Sequence, residues 1–288
     1  MKRLLVTGAS GFLGRRIAEF YGRNYEVVTP GHQEMDITDK EKVSAIFHDF
    51  KPHFVIHSAA VSDVGMCEKE PERSWKMNVE GSRNIALASA ELHAKCLMCS
   101  SDQIYFGSKI PGPHREDESV NSLNVYGRQK KQAEEECLAE NPKCVMLRLS
   151  WMYDTVTKSK YEHGDFFRTL ALGLKKKEIL RYPVHDVRGI TDVDEVVRNL
   201  EYAWELEGGV YNFGSPNDRN TYETVIAMFT KLGWDAKVVQ RNEEAFAPAP
   251  RDISMNTDKI NKNGIVFSST LDGLIRNGCL LKLTKESK

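Results

Sequence analysis

No stretch of the chain approaches the ~20 consecutive apolar residues that a membrane-spanning helix requires, so no span is expected. Nor is there an excess of charge of either sign. Lys and Arg number 40 against 41 Asp and Glu in 288 residues, which excludes a general electrostatic drive toward nucleic acid or anionic membrane while leaving room for a local phosphate site. Cysteine is scarce and scattered, at positions 67, 96, 99, 137, 144 and 279. Only Cys96 and Cys99 have C-x-x-C spacing. They lie in "KCLMCSSD", read as a buried strand, where a separation of three sends the two side chains to opposite faces. Without a second Cys/His pair at ligand spacing, packing thiols in a reducing compartment are expected, and neither a redox nor a metal role is assigned. Internal repeats and low-complexity tracts are absent as well. The opening "MKRLLVTGASGFLG" places basic residues before apolar ones, but its apolar run ends at Val6 and turns to glycine, too short for a secretion signal. A soluble, cytoplasmic protein is expected.

What is present is an alternation. Short apolar runs at 3–7, 26–29, 54–58, 95–100 and 144–150 alternate with helical patterns near 13–22, 39–49, 70–92 and 126–140. Thr38 and Glu41 fit a capping box opening the second helix. This order predicts a parallel sheet covered by helices on both faces. After Trp151 the pattern loosens. "GDFFRTLALGLKKK", "TDVDEVVRNLEYAWELE" and "TYETVIAMFTKLG" predict amphipathic helices, "GVYNFG" and "KVVQR" short strands, and the Pro-rich 245–252 a loop before two short terminal helices.

The sharpest local signal is "TGASGFLG", which sets Gly8, Gly11 and Gly14 between the first strand and the first helix. Gly8 permits a tight turn, Gly11 lets backbone approach a pyrophosphate, and Gly14 lets helix and strand pack closely. The helix N-terminus supplies free N–H groups for phosphates. Thr7, Gly8, Ser10, Gly11, Phe12, Leu13 and Gly14 are therefore the candidate dinucleotide cradle. An NAD-type site places a carboxylate at the end of the second strand, and no carboxylate stands at Thr29 to Gly31. Asp36, beside Ile37, is at a suitable distance from the loop but past the strand end; both are retained as candidates for the adenosine end. Arg15, Arg16 and His32 could face a 2′-phosphate, so NADP is preferred over NAD. The fold class expected is α/β, a Rossmann-type doubly wound parallel sheet with a smaller, mostly C-terminal α/β substrate lobe. Residues 1–150 form the cofactor core and 151–288 mainly the lobe, some of whose segments return to the core.

At "CSSDQIYFG" and "LNVYGRQK" the chain resembles the extended short-chain dehydrogenase/reductase superfamily, and within it the dTDP-4-dehydrorhamnose reductase branch. The resemblance is ordered along the chain: "TGASGFLG", "MDITD", "HSAA", "MNVEGSRNIA", "SSDQIYFG", "EDESVNSLNVYGRQK", "RLSWMY" and "RDISMNTDKI". It implies a Ser–Tyr–Lys catalytic set at Ser101, Tyr126 and Lys130, with Ser100 as the substitute for Ser101. Reducing a ketone builds negative charge on oxygen, so a proton donor and a polarising hydrogen bond lower the barrier. A spacing of four puts Lys130 beside Tyr126 on one helix face. There its ammonium is expected to bring the phenol, with a free pKa near ~10, closer to working pH, and the resemblance adds that it holds the nicotinamide ribose. Ser58, Ala59 and Ala60 match a stretch that lets the cofactor lie against the sheet. Asp63, Val64, Trp151 and Arg251 are candidate substrate contacts. Asn78 is read as structural, His57 as a buried strand residue, and Lys175 to Lys177 as a solvated helix face.

Dehydratases of the superfamily carry Asp–Glu after the catalytic hydroxyl residue. Here the order is Ser101, Asp102, Gln103, and glutamine cannot act as a base, which disfavours elimination. The implied activity is NAD(P)H-dependent reduction of a 4-keto sugar nucleotide. The same branch resembles the regulatory subunit of methionine adenosyltransferase, which makes a cofactor-binding regulator the alternative, alongside a related epimerase or oxidoreductase. A homodimer is left open, and no metal is assigned.

Overall fold

The computed structural model describes residues 1–156 and 165–283. The first half runs β1 (Arg3–Thr7), α1 (Phe12–Tyr21), β2 (Glu26–Val28), α2 (Lys40–Phe50), β3 (Phe54–His57), α3 (Val64–Lys69), α4 (Pro71–Trp75), α5 (Gly81–Glu91), β4 (Lys95–Ser101), α6 (Val125–Glu140) and β5 (Val145–Leu149). Then follow β6 (Trp151–Tyr153), α7 (Phe166–Lys176), β7 (Leu180–Pro183), β8 (Asp186–Val187), β9 (Ile190–Asp192), α8 (Val193–Ala203) and β10 (Gly209–Phe213). The chain closes with α9 (Thr221–Leu232), β11 (Val239–Asn242), β12 (Arg251–Asp252), α10 (Asp258–Asn261) and α11 (Thr270–Leu283).

Six strands form one parallel sheet in the order β10-β5-β4-β3-β1-β2. Strand side chains alternate faces, and here both faces are apolar. Leu4, Val6, Ile56, Leu97 and Leu147 pack with Ile17 of α1 and Val196 and Leu200 of α8. Leu5, Val55, Cys96 and Met146 pack with Val43 and Phe47 of α2 and Ile85 of α5. Each such buried aliphatic side chain contributes roughly 1.5–3 kcal/mol, which is why these strands are near-continuous apolar runs. Cys96 belongs to one face and Cys99 packs on the other, so the C-x-x-C pair is split by the pleat as expected. A third core gathers Tyr153, Phe166, Phe167, Leu170, Val225, Met228 and Phe229 around the paired short strands β6–β9 and β7–β11. β8 pairs with β12.

The chain goes outward from β1 to β2, then crosses back to β3 on the other side. Such a reversal opens a crevice at the carboxyl ends of the strands. Register places Thr7 beside His57, and Ser101 beside Leu149, with β4 running three residues beyond the level of His57. The carboxyl rim is therefore stepped, with Ser101 standing above the glycine loop.

Some expectations are corrected. The second helix is capped by Asp39, whose side chain accepts from Lys42 N at 3.0 Å, rather than by Thr38. Thr38 instead donates its hydroxyl to Asp36 at 2.8 Å, and the adjacent carboxylate takes the cap. The helix expected over 70–92 is a continuous helical path interrupted by a π-helical stretch at Lys76–Glu80. α3 and five strands of two to four residues (β6, β7, β8, β9 and β12) had not been expected, and the last helix, at 14 residues, is longer than anticipated. Gly164, at the head of the helix expected over 164–177, lies outside the described residues. Among the described residues, no helix is long and apolar enough to cross a membrane.

Candidate active site

A cavity of about 980 Å³ opens at the carboxyl rim of the sheet. Its floor is the glycine loop. Gly8 has φ +72°, and a Cβ there would lie 2.6 Å from Ala59 N; one on Gly14 would lie 2.4 Å from Gly8 O and 2.7 Å from Ser58 Oγ. Only glycine allows these approaches. Gly11 is the N-cap of α1 and brings no side-chain cap, so first-turn N–H groups of the helix stay available to an anion at the cavity. Below the loop, Thr7 Oγ1 is 2.7 Å from His57 Nδ1 and accepts from Ala59 N at 3.3 Å, while His57 Nε2 is 3.0 Å from Ser82 Oγ. Burial, and then the charge of Lys130, push the His57 imidazole down to about 3. It is a neutral hydrogen-bond hub under the loop. Asn78, in the π-helical stretch, clamps both backbone polar groups of Val61: its Oδ1 accepts from Val61 N at 2.8 Å, and its Nδ2 donates to Val61 O at 3.0 Å. Nδ2 also donates to Gln129 Oε1 of α6 at 2.9 Å, which ties the end of the β3 loop to the helix carrying Tyr126.

Around the end of β2 the cavity wall consists of Thr29, Pro30, Gly31, His32, Met35 and Ile37. Ile37 and His32 both line this end. Asp36 does not reach the wall: its Oδ1 takes Thr38 N at 3.0 Å and the Thr38 hydroxyl, and the backbone bond from Thr38 holds its carboxyl below the usual range. No carboxylate therefore lines this end. Arg16 is corrected outright. It is buried, donates to Asp154 Oδ2 at 2.7 Å and to Val156 O at 3.1 Å, and stacks over Phe12 at 4.0 Å. Arg15 also stands outside the wall.

Ser101, Tyr126 and Lys130 all line the same cavity, 7%, 8% and 4% exposed. Tyr126 is the second residue of α6, whose start is held by the Asn124 side chain accepting from Gly127 N at 2.6 Å. A Cβ on Gly127 would meet Gln103 O at 2.4 Å, so this glycine seats the helix against the turn after β4. Lys130 lies one turn further, its Nζ donating to Cys99 O at 2.8 Å and 5.8 Å from the Tyr126 ring centre. The tuning expected of Lys130 is not what the structure displays. Burial, then the Asp102 charge, raise the Tyr126 phenol, while Ser101 opposes them, and burial lowers the Lys130 ammonium. Desolvation by burial is the largest influence on both groups. The two serines are distinguished by their partners. Ser100 gives its hydroxyl to Glu134 Oε1 at 2.6 Å, and Glu134 also holds buried Arg148 through two bonds of 2.9 and 2.6 Å. Ser101 Oγ, by contrast, accepts from Gln103 N at 3.2 Å and lies 3.3 Å from Asp102 Oδ1.

The remaining lining includes Val64, Trp151, Asp165, Arg188 and Arg251. Arg188 donates from Nη2 to Asp102 Oδ2 at 3.0 Å and lies over the Trp151 ring at 5.2 Å. Its buried Nε has no hydrogen-bond partner among the described residues. Arg251 donates from Nε to Asp186 Oδ1 at 2.7 Å and stacks on Phe246 at 4.0 Å. Asp63 is off the wall; it caps α3 by accepting from Met66 N at 2.7 Å. Gln103 accepts from Asn124 Nδ2 at 3.0 Å. Arg188, Asp165 and the pairing of Asp102 had not been expected. Arg188 stands between two minimal strands in no recognisable motif, so no sequence signal pointed to it.

Known proteins share this sequence pattern and fold. Residues 1–272 match the RmlD substrate binding domain family. The dTDP-4-dehydrorhamnose reductase of Aggregatibacter actinomycetemcomitans is 31% identical over 239 residues, 80% of this chain and 79% of that protein. Methionine adenosyltransferase 2 subunit beta of Xenopus laevis is 28% identical over 280 residues, 92% of this chain and 83% of that one. The crystal structure of dTDP-4-dehydrorhamnose reductase from Bacillus anthracis in complex with NADP superposes with a TM-score of 0.84 at 24% identity, covering 97% of this chain and 98% of the other.

Proposed function

Because the chain belongs to the RmlD substrate binding domain family, we propose that it is a reductase of the dTDP-4-dehydrorhamnose reductase type, which reduces the keto group of a 4-keto sugar nucleotide with NADPH and accepts NADH less well. The observation that carries this reading is the convergence of Ser101, Tyr126 and Lys130 on the cavity whose floor is the glycine loop. Residues 1–150 would supply the cofactor floor and 151–288 most of the substrate wall.

The residues present fit a dinucleotide: the floor admits no Cβ at Gly8 or Gly14, and α1 begins without a side-chain cap. A bound nicotinamide supplies hydride. The chain's part is to manage the oxygen. Tyr126, whose phenol is pushed up by burial, holds its proton at neutral pH and releases it to the oxygen that gains charge. Ser101 donates a hydrogen bond to the same oxygen. Lys130, anchored on Cys99 O, has two further N–H bonds for the cofactor ribose. Arg188 and Arg251 suit a diphosphate, and Trp151 a sugar ring. Gln103 accepts from Asn124 and offers no base for elimination. The absence of a carboxylate from the β2 end supports NADP over NAD, and comparing the two dissociation constants tests that preference.

The first test is Tyr126→Phe. Turnover of a 4-keto-6-deoxyhexose nucleotide with NADPH should fall by about 10²–10⁴, with NADPH affinity retained; equal turnover in the variant would sink the mechanism. A regulatory role is favoured by one observation, the match to methionine adenosyltransferase 2 subunit beta over 92% of this chain. Capture of that enzyme's catalytic subunit in stoichiometric amount, with no turnover on any keto sugar nucleotide, would establish that reading instead.

A further inference from the structure

The Ser101 hydroxyl has one hydrogen, and besides the Tyr126 phenol oxygen next to it, two acceptors compete for it. One is the substrate carbonyl of the proposed reaction. The other is Asp102 Oδ1, 3.3 Å away on a side chain that is 1% exposed. An ionised Asp102 only accepts, so it draws the Ser101 hydrogen away from the cavity. A protonated Asp102 donates instead. Ser101 then accepts from Asp102 and from Gln103 N, and its own hydrogen is free for the carbonyl. The direction of this one bond decides whether Ser101 polarises the substrate.

The groups facing Asp102 come from several elements. Arg188, from between β8 and β9, bonds its Oδ2, and Arg251 of β12 adds a second positive charge. Asp186 of β8 presses the other way, and Tyr126 of α6, neutral while it holds its proton, faces the same carboxyl. Burial is the largest influence, and the net effect raises the Asp102 carboxyl above its ordinary value.

We propose that Asp102 is a positioning residue that sets the donor direction of Ser101, with Arg188 biasing the choice through its bond to the Asp102 carboxylate. This rests on the reductase reading. It makes a residue of the substrate wall govern the donor that stands on the strand side of the cavity.

The test is the pH dependence of kcat, measured at saturating 4-keto-6-deoxyhexose nucleotide and NADPH, for wild type, D102N, R188Q and S101A. Wild-type kcat falls as pH rises through the ionisation of Asp102. In D102N the amide oxygen accepts from Arg188, which leaves the amide N–H to donate to Ser101. That variant copies the protonated state, so its falling limb is lost while turnover persists. R188Q removes a cation that favours the carboxylate and moves the limb up by at least about one pH unit. S101A loses about 10²-fold or more at every pH. The proposal is overturned if D102N keeps the wild-type limb, if it drops to the level of S101A throughout, or if the R188Q limb moves down. NADPH affinity within threefold of wild type checks that each variant is folded. A second readout needs no turnover: the infrared band of a protonated carboxyl, growing in wild type as pH is lowered, missing in D102N, and titrating at higher pH in R188Q. Failure of the wild type to reduce any keto sugar nucleotide overturns the functional reading. Turnover with an unchanged D102N profile and no such band overturns this inference alone.

Discussion

The two walls of the cavity are made in different ways. The cofactor floor is backbone and mostly small side chains from two segments, 8–14 and 58–60, each directly following a central strand, with 29–37 closing the β2 end. The substrate side is long side chains from segments far apart. Arg188 is 86 residues from its partner Asp102, and Arg251 is 65 from Asp186. A backbone site tolerates almost no change of residue type, because a Cβ has nowhere to go. A side-chain site can change its partners while the fold stays the same, which suits a wall that selects among substrates.

The comparison is broken most forcefully at Gly14. A methyl group there meets Gly8 O at 2.4 Å, a backbone atom with no rotamer to escape through. Gly14→Ala should cost about 1–3 kcal/mol of stability. By displacing the loop on the order of 1 Å it should weaken NADPH binding about 10²-fold, read by fluorescence titration and urea unfolding. A stable Gly14→Ala variant with unchanged cofactor affinity would mean that the cofactor wall is not the rigid one.

His57 probes the foundation of the same wall. Its imidazole titrates near 3 in the folded protein, against about 6.5 when unfolded. Between those values the unfolded chain takes up a proton that the folded one refuses, so stability is complete above about pH 6.5 and is lost as pH falls toward 3. At pH 5 the loss from this group is about 2 kcal/mol. In His57→Asn, urea unfolding at pH 7.5 and pH 5 should differ by about 2 kcal/mol less than in wild type. An identical acid response in the two proteins would show that His57 carries no such penalty.

The same division explains what was legible in the sequence. β1, β3, β4 and β5 were readable because burial on both faces forces apolar runs, and α6 because Tyr126 and Lys130 fall one turn apart on it. The glycine loop was readable because no other residue fits at Gly8 or Gly14. The helix start at Asp39 was missed by one residue because Thr38 and Asp39 both cap well, and only the Asp36 turn, which occupies the Thr38 hydroxyl, decides between them. Arg16 was misplaced because its partner Asp154 is 138 residues away. Asp36 and Asp63 have suitable chemistry, but local backbone turns consume their carboxylates. β8 and β12, two residues each, carry no periodicity at all, yet they place Arg188 and Arg251. Long-range partnership leaves no local trace.

Arg251 sharpens the contrast with the smallest effect. Its guanidinium is held by Asp186 below and by Phe246 alongside, so it is already oriented before a ligand arrives. Arg251→Gln removes the charge without leaving Asp186 bare, because the Thr221 hydroxyl still donates to that carboxylate at 3.1 Å. If this arginine meets the substrate's diphosphate, one charge-assisted bond is lost, worth about 1.5 kcal/mol. The KM for the sugar nucleotide should then rise about tenfold, with kcat on its low-pH plateau within about twofold, the pattern of binding lost equally from ground and transition states. The dissociation constant of NADPH should not move. A parallel weakening of NADPH would place Arg251 on the cofactor side and erase the distinction between the walls, whereas an unchanged KM would leave it a structural partner of Asp186.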